Sequence, residues 1–368
     1  MQPECTLKVL FDRDDKGYHP GEQVKGHVEV EVTETCSCPG LELTVGWRTH
    51  GRGNVDRGSE QSEILFEGEW AANEVHRHPF AFELPNGPFT YRGHFLNVDW
   101  NARATVTVPG IGNLQAREDF LLTASPEGTS APYHSHDPRG PEGSLQARQD
   151  SSEPADIVFA VLFIAALVLG CWIFVWITDD PEAFSISEAL TVFMGIVVAL
   201  ALALSLGIRN RLANARLRSI AVAVDNPGVH AGEHLGFSIE IPPKSKAHIN
   251  GISANLIGQE VVTSGAGSRR TTRTHTVHND GYTFPETVDR SLKRGESLDI
   301  RDSIVVPTDA PPSFHADDNH LEWKLRIHVD IHRWPDWQRE YPLEVLPSLP
   351  APEEAEEAEE AEESNPVG

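Results

Sequence analysis

The stretch QVKGHVEVEV, Gln23–Val32, decides how this chain is read. Val24, Val28, Val30 and Val32 alternate with Gln23, Lys25, His27, Glu29 and Glu31. A period of two puts the valines on one face and the polar side chains on the other, which is the signature of a half-buried strand. Working outward, runs of the same kind recur at Leu41–Trp47, Phe80–Leu84, Leu96–Val108, Phe237–Ile241, Ile252–Ile257, Leu298–Val306 and Leu321–Ile331. Turn residues bound them, and no long amphipathic helical pattern interrupts them. Strands at this spacing predict β-sandwiches. Trp47, Trp100 and Trp323 fall in or at the ends of such runs and read as core aromatics rather than ligand stackers.

The two ends of the chain echo each other. Gly21-Glu22-x-Val24 followed by Val28-Glu29-Val30 matches Gly232-Glu233-x-Leu235 followed by Ile239-Glu240-Ile241. Later, Leu84-Pro85 then Asp99-Trp100 match Val306-Pro307 then Glu322-Trp323. Any one pair is a common step, but collinear agreement at four places indicates duplication of one sandwich of about 120 residues.

At these residues the chain resembles the arrestin-like superfamily, including alpha-arrestins and the bacterial sporulation-control proteins of arrestin fold. Lobe 1 carries Tyr18-His-Pro-Gly-Glu-Gln-Val-Lys-Gly26, then Leu84-Pro-Asn-Gly-Pro-Phe-Thr-Tyr-Arg-Gly93, then Asn97-Val-Asp-Trp100-Asn-Ala-Arg-Ala104. Lobe 2 carries weaker counterparts, Gly232-Glu233 and Pro307-Thr-Asp-Ala-Pro-Pro-Ser-Phe314. The likeness covers about 5–124 and 217–346. It implies two immunoglobulin-like β-sandwich lobes that serve as an adaptor or scaffold for protein partners without catalysing a reaction. The chain departs from the family in lacking a PPxY motif, a phosphate sensor that can be placed residue by residue, and a short interlobe linker.

In place of that linker, Ile157–Ile177 and Ala189–Ile208 are runs of 21 and 20 residues without a charge. A helix of 21 residues rises about 31 Å, enough to cross a bilayer core of ~30 Å. The sequence therefore predicts a two-helix transmembrane hairpin over 155–208. The connector 178–188 has no basic residue, whereas Arg209, Arg211, Arg216 and Arg218 follow the second run, so both lobes and both termini are expected on the cytoplasmic side. Gly195, Ala199, Ala203 and Gly207 recur every four residues, a stripe on which another helix could pack closely. With the bacterial-type resemblance, this places the protein in an inner or plasma membrane. No ionisable side chain interrupts either run, which argues against a transporter.

The organisation expected is thus a lobe at 1–124, a flexible Pro-, Gly- and Ser-rich linker at 125–154, the hairpin, a second lobe at 209–348 and an acidic tail at 349–368. The tail holds eight glutamates between Glu353 and Glu363. Overall, 30 Lys and Arg face 55 Asp and Glu, a net charge of −25, which argues against nucleic-acid binding. Four cysteines, Cys5, Cys36, Cys38 and Cys171, are too sparse for a disulfide scaffold and read as reduced thiols. The first residues lack the basic start and apolar run of a signal peptide, so the N-terminal part is expected in the cytosol.

Chemistry is thin. No P-loop and no G-x-S-x-G elbow occurs. Gly51-Arg-Gly53-Asn-Val-Asp56 lacks the third glycine of a dinucleotide loop and reads as a strand connection, and Gly265-Ala-Gly-Ser-Arg-Arg270 as a hairpin turn. Among 17 histidines, His76 with His78, and His328 with Asp330 and His332, would share strand faces, while Cys36 and Cys38 offer thiols. His134 and His136 lie in the linker. None has the spacing of a zinc site, so no catalytic, cofactor or metal residue is assigned. The reading is a membrane-anchored, arrestin-like adaptor that binds unidentified protein partners. The alternatives are a structural homo-oligomer assembled through the small-residue stripe, and a metalloenzyme using His328 and His332.

Overall fold

The computed structural model describes residues 5–110, 112–124, 220–226 and 228–348. They form two β-sandwich halves. Lobe 1 has β1 (Cys5–Phe11), β2 (Gly17–Tyr18), β3 (Gln23–Val32), β4 (Cys36–Gly51), β5 (Arg57–Trp70), β6 (Val75–Glu83), β7 (Tyr91–Arg92), β8 (Leu96–Val108) and β9 (Gly112–Leu122). A three-stranded sheet, β1-β3-β6, packs on a larger one ordered β2-β9-β8-β4-β5, with β7 paired to β8. The alternation in Gln23–Val32 is realised directly: Val24, Val28, Val30 and Val32 are buried between the sheets. Trp70 and Trp100, both fully buried, anchor the same core.

Lobe 2 has β10 (Ala221–Val224), β11 (Gly228–His230), β12 (His234–Ile241), β13 (Ala247–Ser264), β14 (Thr271–Thr283), β15 (Arg290–Leu292), β16 (Leu298–Val305), β17 (Phe314–His315), β18 (Asn319–Ile331) and β19 (Trp337–Leu346). Its sheets are β10-β12-β16 and β11-β19-β18-β13-β14, with β17 on β18. Apart from the added β15, this is the strand order of lobe 1, including a parallel pair, β2 with β9 and β11 with β19.

The repeated residues do the same work in both copies. Gly21 and Gly232 take φ of 78° and 90°, a left-handed conformation that glycine adopts without a Cβ clash. Each donates its N–H at 3.0 Å to the carbonyl of the residue before the repeated proline, Leu84 or Val306. Glu22 and Glu233 accept from the backbone N–H of His19 and His230 at 2.8 and 3.0 Å. The indole N–H of Trp100 donates to the Pro88 carbonyl at 2.7 Å, and that of Trp323 to Pro311 at 2.9 Å. A buried indole needs such an acceptor, and in both copies a proline a few residues beyond the apolar-Pro step supplies it.

The expected helical hairpin is corrected by this architecture. The described residues contain no α-helix, only 3₁₀ turns at Gly267–Arg269 and Pro285–Thr287, and none of their helices is long and apolar enough to cross a membrane. The described residues are therefore mainly β in two sandwich halves, with no transmembrane hairpin among them, and the expected hairpin fold class and inner-membrane placement are withdrawn. The two uncharged runs, the stripe Gly195, Ala199, Ala203 and Gly207, the arginines Arg209, Arg211, Arg216 and Arg218, the linker and the acidic tail all lie outside the described residues. The physical reason for the misreading is that an uncharged run of helical length reports only the ease of transfer into an apolar medium, not which apolar surroundings receive it.

The lobes meet in a seam that is apolar at its centre and polar around it. Phe314, Ala316, Leu321 and Val262 of lobe 2 are buried in the core cluster of lobe 1, with Phe314 edge-on to Trp47 at 5.5 Å. Beside them, Glu260 is fully buried and accepts from the Tyr91 hydroxyl at 2.7 Å and from the backbone N–H groups of His94 and Phe95 at 2.9 and 2.6 Å. On the other side, the loop between β4 and β5 docks on lobe 2. Asn54 N–H donates to the Thr263 carbonyl at 2.8 Å, and the Asn319 amide reaches Thr49, the Asn54 carbonyl and Asp56 at 3.0, 2.7 and 2.7 Å.

Two glycines make the close approach feasible. A Cβ on Gly93 would run into the Glu260 carboxylate, and one on Gly53 into the Asn319 amide oxygen. Gly93→Ala is accordingly expected to cost about 2–3 kcal/mol, as overpacking of a tight site does, seen as a lower urea midpoint. A midpoint equal to the wild type's would mean that the turn retreats freely from Glu260.

Candidate functional site

The outer face of the larger sheet of lobe 1 carries an open concavity of about 390 Å³. Its walls come from the outward-facing positions of β4, β5, β8 and β9, which alternate with core residues. Arg48, Arg57, Arg103 and Arg117 line it, with Glu60 and Asn101 between them. The hollow has a local cause. Opposite Gly46, strand β5 holds one residue more than β4, because Val45 pairs with Gln61 while Trp47 pairs with Gly58. Such a bulge bends the strand, and the missing side chain at Gly46 leaves the floor low.

The charges are arranged against their own interest. Arg48 lies directly across from Arg57 on β4 and β5, and Arg103 directly across from Arg117 on β8 and β9. Like charges opposite each other on one sheet face are destabilising. Compensation is partial: Arg117 bonds Asp119 at 2.6 Å, and Arg103 stands 4.0 Å from Glu60. The Nε–H of Arg48 is buried and meets no acceptor among the described residues. An unmet buried donor costs about 1–3 kcal/mol. At the rim, Asp99 is buried between Arg92 and His50, the latter at 2.8 Å. The arrangement can hold an anion by several charge-assisted hydrogen bonds at once.

A second, smaller concavity of about 270 Å³ lies between the lobes, between Phe89 and Tyr91 on one side and Pro311, Pro312 and Phe314 on the other. It is mostly apolar, and Asp309 is the one carboxylate among the described residues that line it.

The histidines singled out from sequence sit in structural settings. His78 accepts from the Trp70 indole N–H at 3.1 Å and lies against the Phe66 ring at 4.6 Å. Burial, with a smaller contribution from His76, pushes its pKa below the usual 6.5. The unfolded chain therefore takes up the proton first as pH falls below about 6.5, so this contribution to stability is present above that pH and lost beneath it. We expect the melting temperature to fall between pH 7.5 and 5.5, and His78→Leu to flatten that fall. An unchanged slope in the variant would assign the pH dependence elsewhere.

His328 is engaged by Asp336 at 3.3 Å, and His332 packs edge-on against His248 at 5.2 Å. They form no three-ligand group with Asp330, so the metalloenzyme reading loses its residues. Cys5, Cys36 and Cys38 are free thiols. Burial raises all three, Cys5 to about 11, which keeps them protonated and poor metal ligands. His134 and His136 lie outside the described residues.

Two arrangements escaped the sequence reading. His248 bridges Ser291 and Asp289, each at 2.8 Å, but Asp289 is 86% exposed and neither concavity adjoins the group, so it lacks the water exclusion a triad needs. The arginine concavity was equally invisible, because its members come from four strands over sixty residues and become neighbours only through sheet register. Gly53 and Gly265, each read as part of an ordinary connection, are seam residues: Gly265 exchanges two hydrogen bonds with Asn54, at 3.0 and 3.1 Å. Comparison with protein-family models and with curated proteins finds no match to this chain.

Proposed function

We propose that this protein is a non-catalytic two-lobe adaptor of arrestin-like type, and that the concavity of lobe 1 receives an acidic segment of a protein partner. One observation carries the reading: two arginine pairs face each other across strands on a single hollow surface of a chain whose net charge is −25. Repulsion of that kind is relieved when carboxylates enter, since each guanidinium can bind a carboxylate through two parallel N–H···O bonds. The hydrogen-bonded seam supports the adaptor part of the reading, because it holds two binding modules in one fixed relation. The resemblance noted above in Tyr18–Gly26 and Leu84–Gly93 points the same way.

The test is to crosslink the tagged full chain in cells and map attachments by mass spectrometry, comparing wild type with the Arg57→Glu/Arg103→Glu variant. Attachment of one recurrent protein at β4, β5, β8 and β9, lost in the variant, is the expected result. Self-crosslinks alone, at equal labelling depth, would refute it.

A further inference from the structure

The duplicated hairpin that follows the interlobe seam offers a controlled comparison within one molecule. In lobe 1, Arg92 on β7 pairs directly with Asn97 on β8, and Asp99 follows two residues on. In lobe 2, His315 on β17 pairs directly with His320 on β18, and Glu322 follows two residues on. The registers coincide, so the three positions are equivalent. In both copies the third residue is a carboxylate on the outer face of the sheet.

What differs is the cation. In lobe 1, the Asp99 carboxylate is neutralised across the hairpin by the Arg92 guanidinium. In lobe 2 the position of that arginine is taken by His315, and no described Lys or Arg pairs with Glu322. The nearest basic side chains along the same face of β18, Lys324 and Arg326, are both claimed by Glu340, at 2.7 and 2.6 Å. The lobe 2 hairpin therefore presents two imidazoles and a carboxylate where the lobe 1 hairpin holds an internal ion pair.

We propose that His315, His320 and Glu322 form a binding site for a divalent transition metal of the zinc class. Their ligand atoms lie within 4.8 Å of one another, and all three residues are half-buried. In a tetrahedral zinc shell, with bonds of about 2.0–2.2 Å, ligand atoms stand about 3.4 Å apart, which small side-chain rotations reach from here. Two imidazoles and one carboxylate select zinc or a similar borderline cation over calcium or magnesium, which prefer oxygen throughout. Three protein ligands leave one coordination position open. The rings of His315 and His320, 5.7 Å between centroids, are held in place by direct strand pairing rather than by a loop.

The site also has a structural consequence. Along β18 the alternate residues Asn319 and Leu321 point the other way, into the seam with lobe 1. A metal joining β17 to β18 would fix the hairpin that carries Phe314, Asn319 and Leu321 into that seam. Metal binding and seam stability are thereby linked, because a ligand bound only by the folded state stabilises it.

The experiment is to strip the full chain with a chelator, then titrate it with Zn²⁺ by calorimetry and with Co²⁺ by visible absorption. The expected result is one equivalent bound at micromolar or lower concentration, a Co²⁺ spectrum of low coordination number, and a higher melting temperature with Zn²⁺. His320→Gln and Glu322→Gln should each weaken binding at least tenfold, while His134→Ala/His136→Ala should leave it unchanged. His315→Arg, which reinstates the lobe 1 residue, should fold and melt at or above the apo wild type yet bind no metal. This variant keeps the test decisive if either glutamine substitution unfolds the hairpin. Absence of an equivalent below 100-micromolar-scale metal, wild-type affinity in His315→Arg, or loss of binding in the linker variant would each overturn the site.

Discussion

Glu260→Ala is expected to lower the unfolding free energy by about 4 kcal/mol and to uncouple the two lobes. The carboxylate is wholly buried and satisfies three donors of lobe 1, the Tyr91 hydroxyl and the His94 and Phe95 N–H groups. Removing it leaves all three facing a dry gap, and an unmet buried donor costs about 1–3 kcal/mol. Tyr91 does not adapt by ionising, since burial, the larger cause of its raised pKa, persists when the Glu260 carboxylate is removed. Truncating one partner of a buried charged network typically costs ~3–5 kcal/mol, in line with that sum. Urea unfolding followed by Trp fluorescence reads the effect, because fully buried tryptophans report from both lobes. The expected trace has two separated transitions where the wild type has one. Glu260→Gln should fall between, because its amide keeps one acceptor but turns an N–H toward a donor. A single transition at the wild-type midpoint in Glu260→Ala would show that the seam is held by its apolar centre alone.

Reversal of two guanidiniums, Arg57→Glu with Arg103→Glu, is expected to weaken capture of the acidic partner at least about 100-fold, corresponding to ~2.7 kcal/mol. The concavity then changes from four guanidiniums against one carboxylate to two against three. The stability of the free protein should move little or rise. Glu at 57 faces Arg48, and Glu at 103 faces Arg117, so each repulsive cross-strand pair becomes attractive. Opposite-charge pairs of this kind contribute roughly 0.2–1 kcal/mol, offset in part by the approach of Glu60 to position 103. Binding lost while the melting temperature holds separates a recognition surface from a structural one. Wild-type binding should also weaken with added salt, because exposed charges are screened beyond about 8 Å at physiological ionic strength. Salt-independent capture, or capture unaffected by the double reversal, would place the binding surface elsewhere.

Much of the scaffold was legible because it rests on period-two burial. Leu96–Val108 was read as a strand with the bounds that β8 has, and Gln23–Val32 likewise for β3. Among the strands that escaped are two long sheet edges, β5 and β14. In β14, none of the thirteen residues Thr271–Thr283 is fully buried, and in β5 Trp70 alone is among those whose burial is described, so no apolar alternation marks them. Edge strands are defined by a single hydrogen-bonded neighbour, and that neighbour lies far away in sequence or across a turn. The short pairing strands β7 and β17 were hidden for a different reason: two residues carry no period at all.

The candidate sites were harder still. Arg48, Arg57, Arg103 and Arg117 have no spacing in common, and only the register of β4, β5, β8 and β9 brings them to one hollow. The histidine search favoured His328 and His332, two strand steps from each other through Asp330, yet these are drawn to Asp336 and His248 instead. His315 and His320 look unrelated in sequence because a hairpin with a three-residue connection, not alternation, sets them opposite each other.

The sequence by itself determined two β-sandwich lobes, their duplication, and the residues that repeat the same turns, because burial alternation and a buried indole's need for an acceptor are written locally. The tertiary structure alone decided that Glu260 closes the seam, that four arginines share one concavity, and that two histidines and a glutamate converge where the other lobe holds an ion pair. Each of these depends on which strands lie side by side, and strand order is set by the packing of whole sheets, which no single stretch of residues contains.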